Sequence, residues 1–152
     1  MRYRLIAVGR LKRGFYVTGC QHYADRLERL ARLEVVEVRE GRAADPAAVR
    51  ESESAALLAA AQGRTVLLDE GGKRFDTAGL AERVKALELG GESQLSLLVG
   101  GAEGHAPWLR QRCDECWSLS PLTLPHELAR LVLLEQLYRL ETLRTGHPYH
   151  RG

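Results

Sequence analysis

The segment Gly146-His147-Pro148-Tyr149-His150-Arg151 gathers two imidazoles, a phenol and a guanidinium, with almost nothing apolar to bury. Those residue types offer general-base, stacking and phosphate-binding chemistry, and Pro148 limits the backbone that carries them. An unstructured chain end is the plain alternative. Two more segments stand out. Leu97-Leu98-Val99-Gly100-Gly101-Ala102-Glu103-Gly104 reads as a strand running into a glycine loop, where a ligand can approach the backbone closely. Trp117-Ser118-Leu119-Ser120-Pro121-Leu122-Thr123-Leu124-Pro125-His126 runs from a short strand to the first residues of a helix.

Each signal has an ordinary counterpart. Gly100-Gly101 lacks both the GxGxxG spacing of a dinucleotide fingerprint and the GKS or GKT ending of a phosphate loop, so alone it is a strand-to-helix turn. Asp69 alone reads as a turn or cap carboxylate rather than a ribose ligand. Cys113-Asp114-Glu115-Cys116 has the spacing of a redox pair or half a zinc site. No second cysteine pair accompanies it, and His105 and His126 lie outside common finger spacing. The pair therefore reads as two helix cysteines partly in the core, with no metal. Glu135 and Arg139, four apart, suit a helical ion pair, on a helix otherwise so apolar that they lie near whatever its buried faces touch.

These residues need a scaffold, and 152 residues provide one domain. A hydrophobic content of 45% with 28% charged residues is that of a globular protein without low-complexity runs. Leu5 to Val8 is too short for a signal-peptide core or a membrane span, so a cytoplasmic protein is expected. Three cysteines, an odd number, do not form a disulfide framework. Net charge is only +2, yet Arg2, Arg4, Arg10, Lys12 and Arg13 all precede the first acid, Asp25. That local excess can meet phosphate. Nineteen arginines against three lysines favour bidentate phosphate contact, but equally reflect coding bias.

Apolar spacing predicts strands at Tyr3 to Val8, Leu33 to Val38, Thr65 to Asp69, Ser93 to Val99 and Trp117 to Leu119. It predicts helices at Phe15 to Leu33, from Asp45-Pro46 to about Ala61, from Asp76 or Thr77 to Gly90, from Pro107 to Cys116 and from Pro125 to Thr145. The alternation implies a single α/β domain with a mostly parallel sheet and helices on both faces; strand order does not follow from it. In such sheets ligands bind beyond the carboxyl ends of strands. The last helix is apolar on more than one face, as expected of a helix packed on its own sheet and on a partner chain.

Taken together, the segments resemble the RlmH family of small SPOUT-class methyltransferases that modify ribosomal RNA. The likeness covers nearly the whole chain: Leu5-Ile6-Ala7-Val8-Gly9; Leu67-Leu68-Asp69 with Gly72-Lys73; Leu98-Val99-Gly100-Gly101 with Glu103-Gly104; Leu119-Ser120 with Leu122-Thr123-Leu124-Pro125-His126; Glu135-Gln136-Leu137-Tyr138-Arg139; and His147-Pro148-Tyr149-His150-Arg151. Ala102, where the family carries proline or serine, and Gly146, often asparagine, depart from it.

The resemblance implies a trefoil-knotted α/β domain acting as a homodimer on the assembled ribosome. The implied reaction is methyl transfer from S-adenosylmethionine to ring nitrogen 3 of a pseudouridine in large-subunit ribosomal RNA. By the same likeness Leu68, Gly100, Gly101, Leu119, Ser120, Pro121, Leu122, Thr123 and Leu124 hold the cofactor. His150, Tyr149 and Arg139 are expected to serve catalysis, and His147, Arg151, Arg10 and Arg13 to contact RNA. A non-catalytic RNA-binding or ribosome-assembly protein of the same fold is the competing expectation, and a CxxC redox or zinc protein a weaker one.

Overall fold

The computed structural model describes residues 1–151. Its centre is a parallel sheet of five strands in the order β2-β1-β4-β3-β5. In chain order the elements are β1 (Arg2–Val8), α1 (Gly14–Leu27), β2 (Arg32–Val38), α2 (Pro46–Ala60), β3 (Arg64–Arg74), α3 (Thr77–Leu89), β4 (Gln94–Val99), α4 (Pro107–Arg112), β5 (Glu115–Ser118) and α5 (His126–Thr145).

Both faces of the sheet are covered, as the alternating pattern predicts. Tyr3, Leu5, Ala7, Leu95, Leu97 and Val99 face a core completed by Leu27 of α1, Val84 of α3 and Leu133 and Leu137 of α5. Ile6, Val8, Leu67 and Leu98 face the opposite way, onto Leu57 of α2 and Leu109 of α4. Each fully buried leucine contributes about 1.5–3 kcal/mol relative to exposure. The central strands β1, β4 and β3 read as nearly continuous apolar runs because both of their faces are dry.

Local chemistry sets the ends. Asp45 caps α2 by accepting the Ala47 N–H at 3.2 Å, ahead of Pro46, which has no N–H to satisfy. Asp76 caps α3 through the Gly79 N–H at 2.7 Å. Gly146 stops α5 at φ +75°, with the His147 N–H returning to the Thr142 carbonyl at 2.9 Å.

Three expected boundaries are corrected. Helix α1 ends at Leu27 rather than Leu33, because Arg32 and Leu33 pair with Arg2 and Tyr3 of β1. Strand β3 runs past Asp69 to Arg74: its pairing with β5 shifts register between Leu68 and Lys73 and then resumes at Trp117 and Ser118. Gly72 sits in that irregularity, where a Cβ would fall 2.8 Å from the backbone of Cys116 and Trp117. Helix α4 stops at Arg112, so Cys113 and Cys116 are not helix cysteines: one follows the helix and the other lies on β5. Asp114 accounts for this, since it exchanges hydrogen bonds with Thr65 of β3 through both its N–H and its carboxylate, drawing the segment into the sheet.

Candidate active site

Strands β4, β3 and β5 are neighbours, so the loops leaving their carboxyl ends meet. They enclose a cavity of about 750 Å³. Of the residues expected to hold the cofactor, Leu68, Gly100, Gly101, Leu119, Ser120, Leu122, Thr123 and Leu124 line it; Pro121 does not, being exposed at the turn between Ser120 and Leu122. His126 and Ala129 of α5 complete the wall.

The glycine loop is a tight reversal. The Gly104 N–H donates to the Gly101 carbonyl at 3.0 Å, and Gly104 adopts φ +80°. A Cβ on Gly100 would lie 3.2 Å from the Gly104 carbonyl carbon, so the loop needs a bare backbone there. The loop after β5 is held by its own hydroxyls: Ser118 Oγ donates to the Ser120 carbonyl and Ser120 Oγ accepts the Leu122 N–H, each at 2.9 Å. Thr123 Oγ1 then donates to Glu70 Oε2 at 2.7 Å, joining the β3 and β5 loops.

Asp69 and His105 form a polar corner that sequence reasoning treats only as separate residues. His105 Nε2 stands 3.0 Å from Asp69 Oδ1, and its Nδ1 stands 3.0 Å from the Ala106 carbonyl. Asp69 Oδ2 accepts the Gly71 N–H at 2.9 Å. Burial pushes the Asp69 carboxyl up, but the hydrogen bonds from His105 and Gly71 outweigh it and hold the group below its ordinary range. The two residues lie 36 positions apart and meet only because β3 and β4 are adjacent. No local spacing signals the pair.

The charge of this wall is one-sided. Asp69, Glu70 and Glu103 line the cavity, and no lysine or arginine does. Such a lining suits a ligand that carries positive charge and repels one that carries phosphate.

Arg139, Tyr149 and His150 form a second cluster, where the tail folds back on α5. Arg139 donates to Glu135 Oε1 through Nε at 2.8 Å and Nη2 at 2.5 Å, the ion pair that their spacing predicts. Tyr149 donates to the same oxygen at 3.2 Å. Its ring packs 4.6 Å from that of Tyr138 and lies 4.8 Å beneath the Arg139 guanidinium. Arg139 Nη1 lies 3.2 Å from His150 Nδ1. Burial, with contacts to Tyr23 and Glu135, pushes the Tyr149 phenol up to about 12, which keeps it protonated at neutral pH. Tyr149 and His150 thus pack back against the helix, yet none of the described tail residues lines the cavity of its own chain.

The residues expected to meet RNA are exposed: His147 and Arg151 on the tail, Arg10 and Arg13 on the loop after β1. That loop is tied to the start of α5, where Glu127 accepts the Lys12 N–H. Among the described residues no group of three or more His, Cys, Asp or Glu side chains is placed to hold a metal ion. Among them, too, no helix is long and apolar enough to cross a membrane.

A family model described as a predicted SPOUT methyltransferase matches residues 1–150. The chain belongs to the SPOUT methyltransferase family. Among SPOUT relatives, a Gloeobacter violaceus protein named ribosomal RNA large subunit methyltransferase H is 48% identical over 154 residues, covering 100% of both chains. A Thermus thermophilus protein of the same name is 48% identical over 152 residues, covering 99% of both. The solved SpoU methyltransferase AviRb from Streptomyces viridochromogenes, in complex with AdoMet, aligns at 18% identity and a TM-score of 0.44 over 90% of this chain and 56% of its own. The family expected from the sequence motifs and the expected α/β class with helices on both faces hold.

Proposed function

We propose that this chain is an S-adenosylmethionine-dependent methyltransferase of large-subunit ribosomal RNA, acting in the cytoplasm on ring nitrogen 3 of a pseudouridine in the assembled ribosome. Membership of a methyltransferase family and full-length relatives named for rRNA methylation support the class. The finer substrate rests on the motif resemblance. The observation that carries the cofactor reading is the cavity at the ends of β4, β3 and β5, with three acidic side chains and no lysine or arginine on its wall.

In this reading Leu68, Gly100, Gly101, Leu119, Ser120, Leu122, Thr123 and Leu124 bind the cofactor, largely by backbone groups, and Pro121 shapes the turn between them. The bound cofactor supplies an electrophilic methyl group on a sulfonium sulfur, so the reaction requires no metal. The protein's task is alignment: holding both reactants in attack geometry supplies on the order of 7–11 kcal/mol in well-oriented cases.

The separation of Arg139, Tyr149 and His150 from their own chain's cavity supports a homodimer in which each tail serves the partner's pocket. A guanidinium donates and cannot accept, so His150 Nδ1 is the acceptor in its contact with Arg139. The ring proton then sits on Nε2, which faces the substrate as a donor. His150 accordingly hydrogen-bonds a carbonyl of the target base and steadies the negative charge that develops when the imide proton leaves for solvent. Tyr149, a neutral phenol, stacks on the base. Arg139 and Arg151 bind phosphate with His147, Arg10 and Arg13. The carboxyl-terminal segment threads a loop in the knot that the family resemblance implies.

The test is titration calorimetry with S-adenosylmethionine, followed by labelled-methyl transfer to ribosomes from a strain lacking the modification. Binding with incorporation at a pseudouridine is expected. Incorporation at another nucleotide would overturn the substrate, and no cofactor binding would return the chain to a non-catalytic RNA-binding protein.

A further inference from the structure

Glu53 of α2 is 4% exposed. One of its oxygens accepts the Gly41 N–H at 2.8 Å. The other, Oε1, is buried without a hydrogen-bond partner, alone in this among the side chains of the described residues. An orphan carboxylate oxygen in the interior is costly, so its position calls for a function. That position is beneath the glycine loop: a Cβ on Gly101 would lie 2.8 Å from Oε1. The next residue, Ser54, accepts the Ala106 N–H at 2.8 Å, pinning the far end of the same loop.

Helix α2 thus presents two consecutive polar side chains to the back of the loop that forms one wall of the cavity. Ser54 Oγ has a partner in the Ala106 N–H. Among the described residues no lysine, arginine or histidine is paired with Glu53. The acidic side chains on the front of the wall, Asp69, Glu70 and Glu103, give the cavity the same sign.

We infer that Glu53 is a positioning residue whose buried carboxylate makes the site prefer the sulfonium-bearing methyl donor over the product, which has lost that positive charge. This rests on the S-adenosylmethionine reading above. S-adenosylmethionine and S-adenosylhomocysteine differ by a methyl group and its positive charge, so a fixed negative charge behind a thin, side-chain-free wall distinguishes them. Inside protein such an interaction is screened far less than in water. The consequence is product release: attraction to the site weakens as soon as the methyl group leaves.

The experiment measures the affinities of both ligands for the intact protein and for two variants, with a thermal melt of each. Glu53→Gln keeps the shape and removes the charge. It is expected to weaken S-adenosylmethionine about tenfold while changing S-adenosylhomocysteine less than about twofold. Glu53→Asp keeps the charge on a shorter arm and is expected to retain the wild-type ratio of the two affinities, even if both fall. Equal weakening of both ligands by Glu53→Gln would reduce Glu53 to a structural brace and overturn the inference, as would no change in either. Intact protein that bound neither ligand would sink the inference together with the cofactor reading.

Discussion

Arg139 Nη1 and His150 Nδ1 lie 3.2 Å apart, joining the middle of α5 to the tail that folds back on it. Because arginine only donates, this contact fixes the tautomer of His150 and with it the chemistry available at the other ring nitrogen.

The tautomer is open to test. In single-turnover methylation, His150→Ala is expected to lose about a hundredfold in rate. His150→Gln, whose amide places an N–H near the Nε2 position but accepts no proton at pH 7, is expected to stay within about tenfold of wild type. A glutamine variant as slow as the alanine variant would show that the ring acts as a base.

Mixed dimers test whether tail and pocket come from different chains. Gly100→Val drives a side chain into the Gly104 backbone, 3.2 Å from its Cβ position, and is expected to abolish cofactor binding. Combined with His150→Ala subunits, it is expected to restore about a quarter of wild-type activity, the share of sites in randomly mixed dimers that join two intact halves. No recovery would mean that each chain works alone.

Acid stability should report on Glu115. Burial raises its carboxyl, but hydrogen bonds from Arg83, Trp117 and Arg64 outweigh this and bring it to about 2 from an ordinary 4.5. A depressed carboxyl stabilises the fold above its unfolded value and loses that contribution as pH falls. Melting temperature is therefore expected to drop between about pH 4.5 and pH 2. Glu115→Gln is expected to melt lower at pH 7 and to flatten that part of the profile; an unchanged profile would assign the acid loss elsewhere.

Gly72→Ala places a methyl group 2.8 Å from the backbone of Cys116 and Trp117, forcing β3 and β5 apart. A loss of about 1–3 kcal/mol is expected from denaturant unfolding. Gly14→Ala, which meets nothing within 4 Å, is the control, and equal losses in the two variants would contradict the steric argument.

Local signals made much of this molecule legible. Apolar spacing places all ten elements, because each central strand and each helix must bury a face of its own. The loops at Gly100 and Ser120 are legible as well, since glycine and hydroxyl residues leave their mark beside apolar runs. What the sequence hides is determined by distant partners. Cys113 to Cys116 continues a helical pattern, yet Thr65, 49 residues from Asp114, captures it for the sheet. Asp69 and His105 meet through strand order, and strand order is not periodic. Glu53 draws no notice in the sequence; only the packing of α2 beneath Gly101 reveals it as buried.

The walls of the cavity come from residues 68–70, 99–105, 119–120, 122–126 and 129. During synthesis, then, no partial chain owns a finished binding site: the β3 and β4 loops wait on the amino end of α5. A ligand that recognises the completed cavity can add stability only to the whole fold, and cannot rescue an intermediate that lacks its last helix. Mutations that slow the docking of α5 should therefore leave a species that no concentration of methyl donor protects from proteolysis.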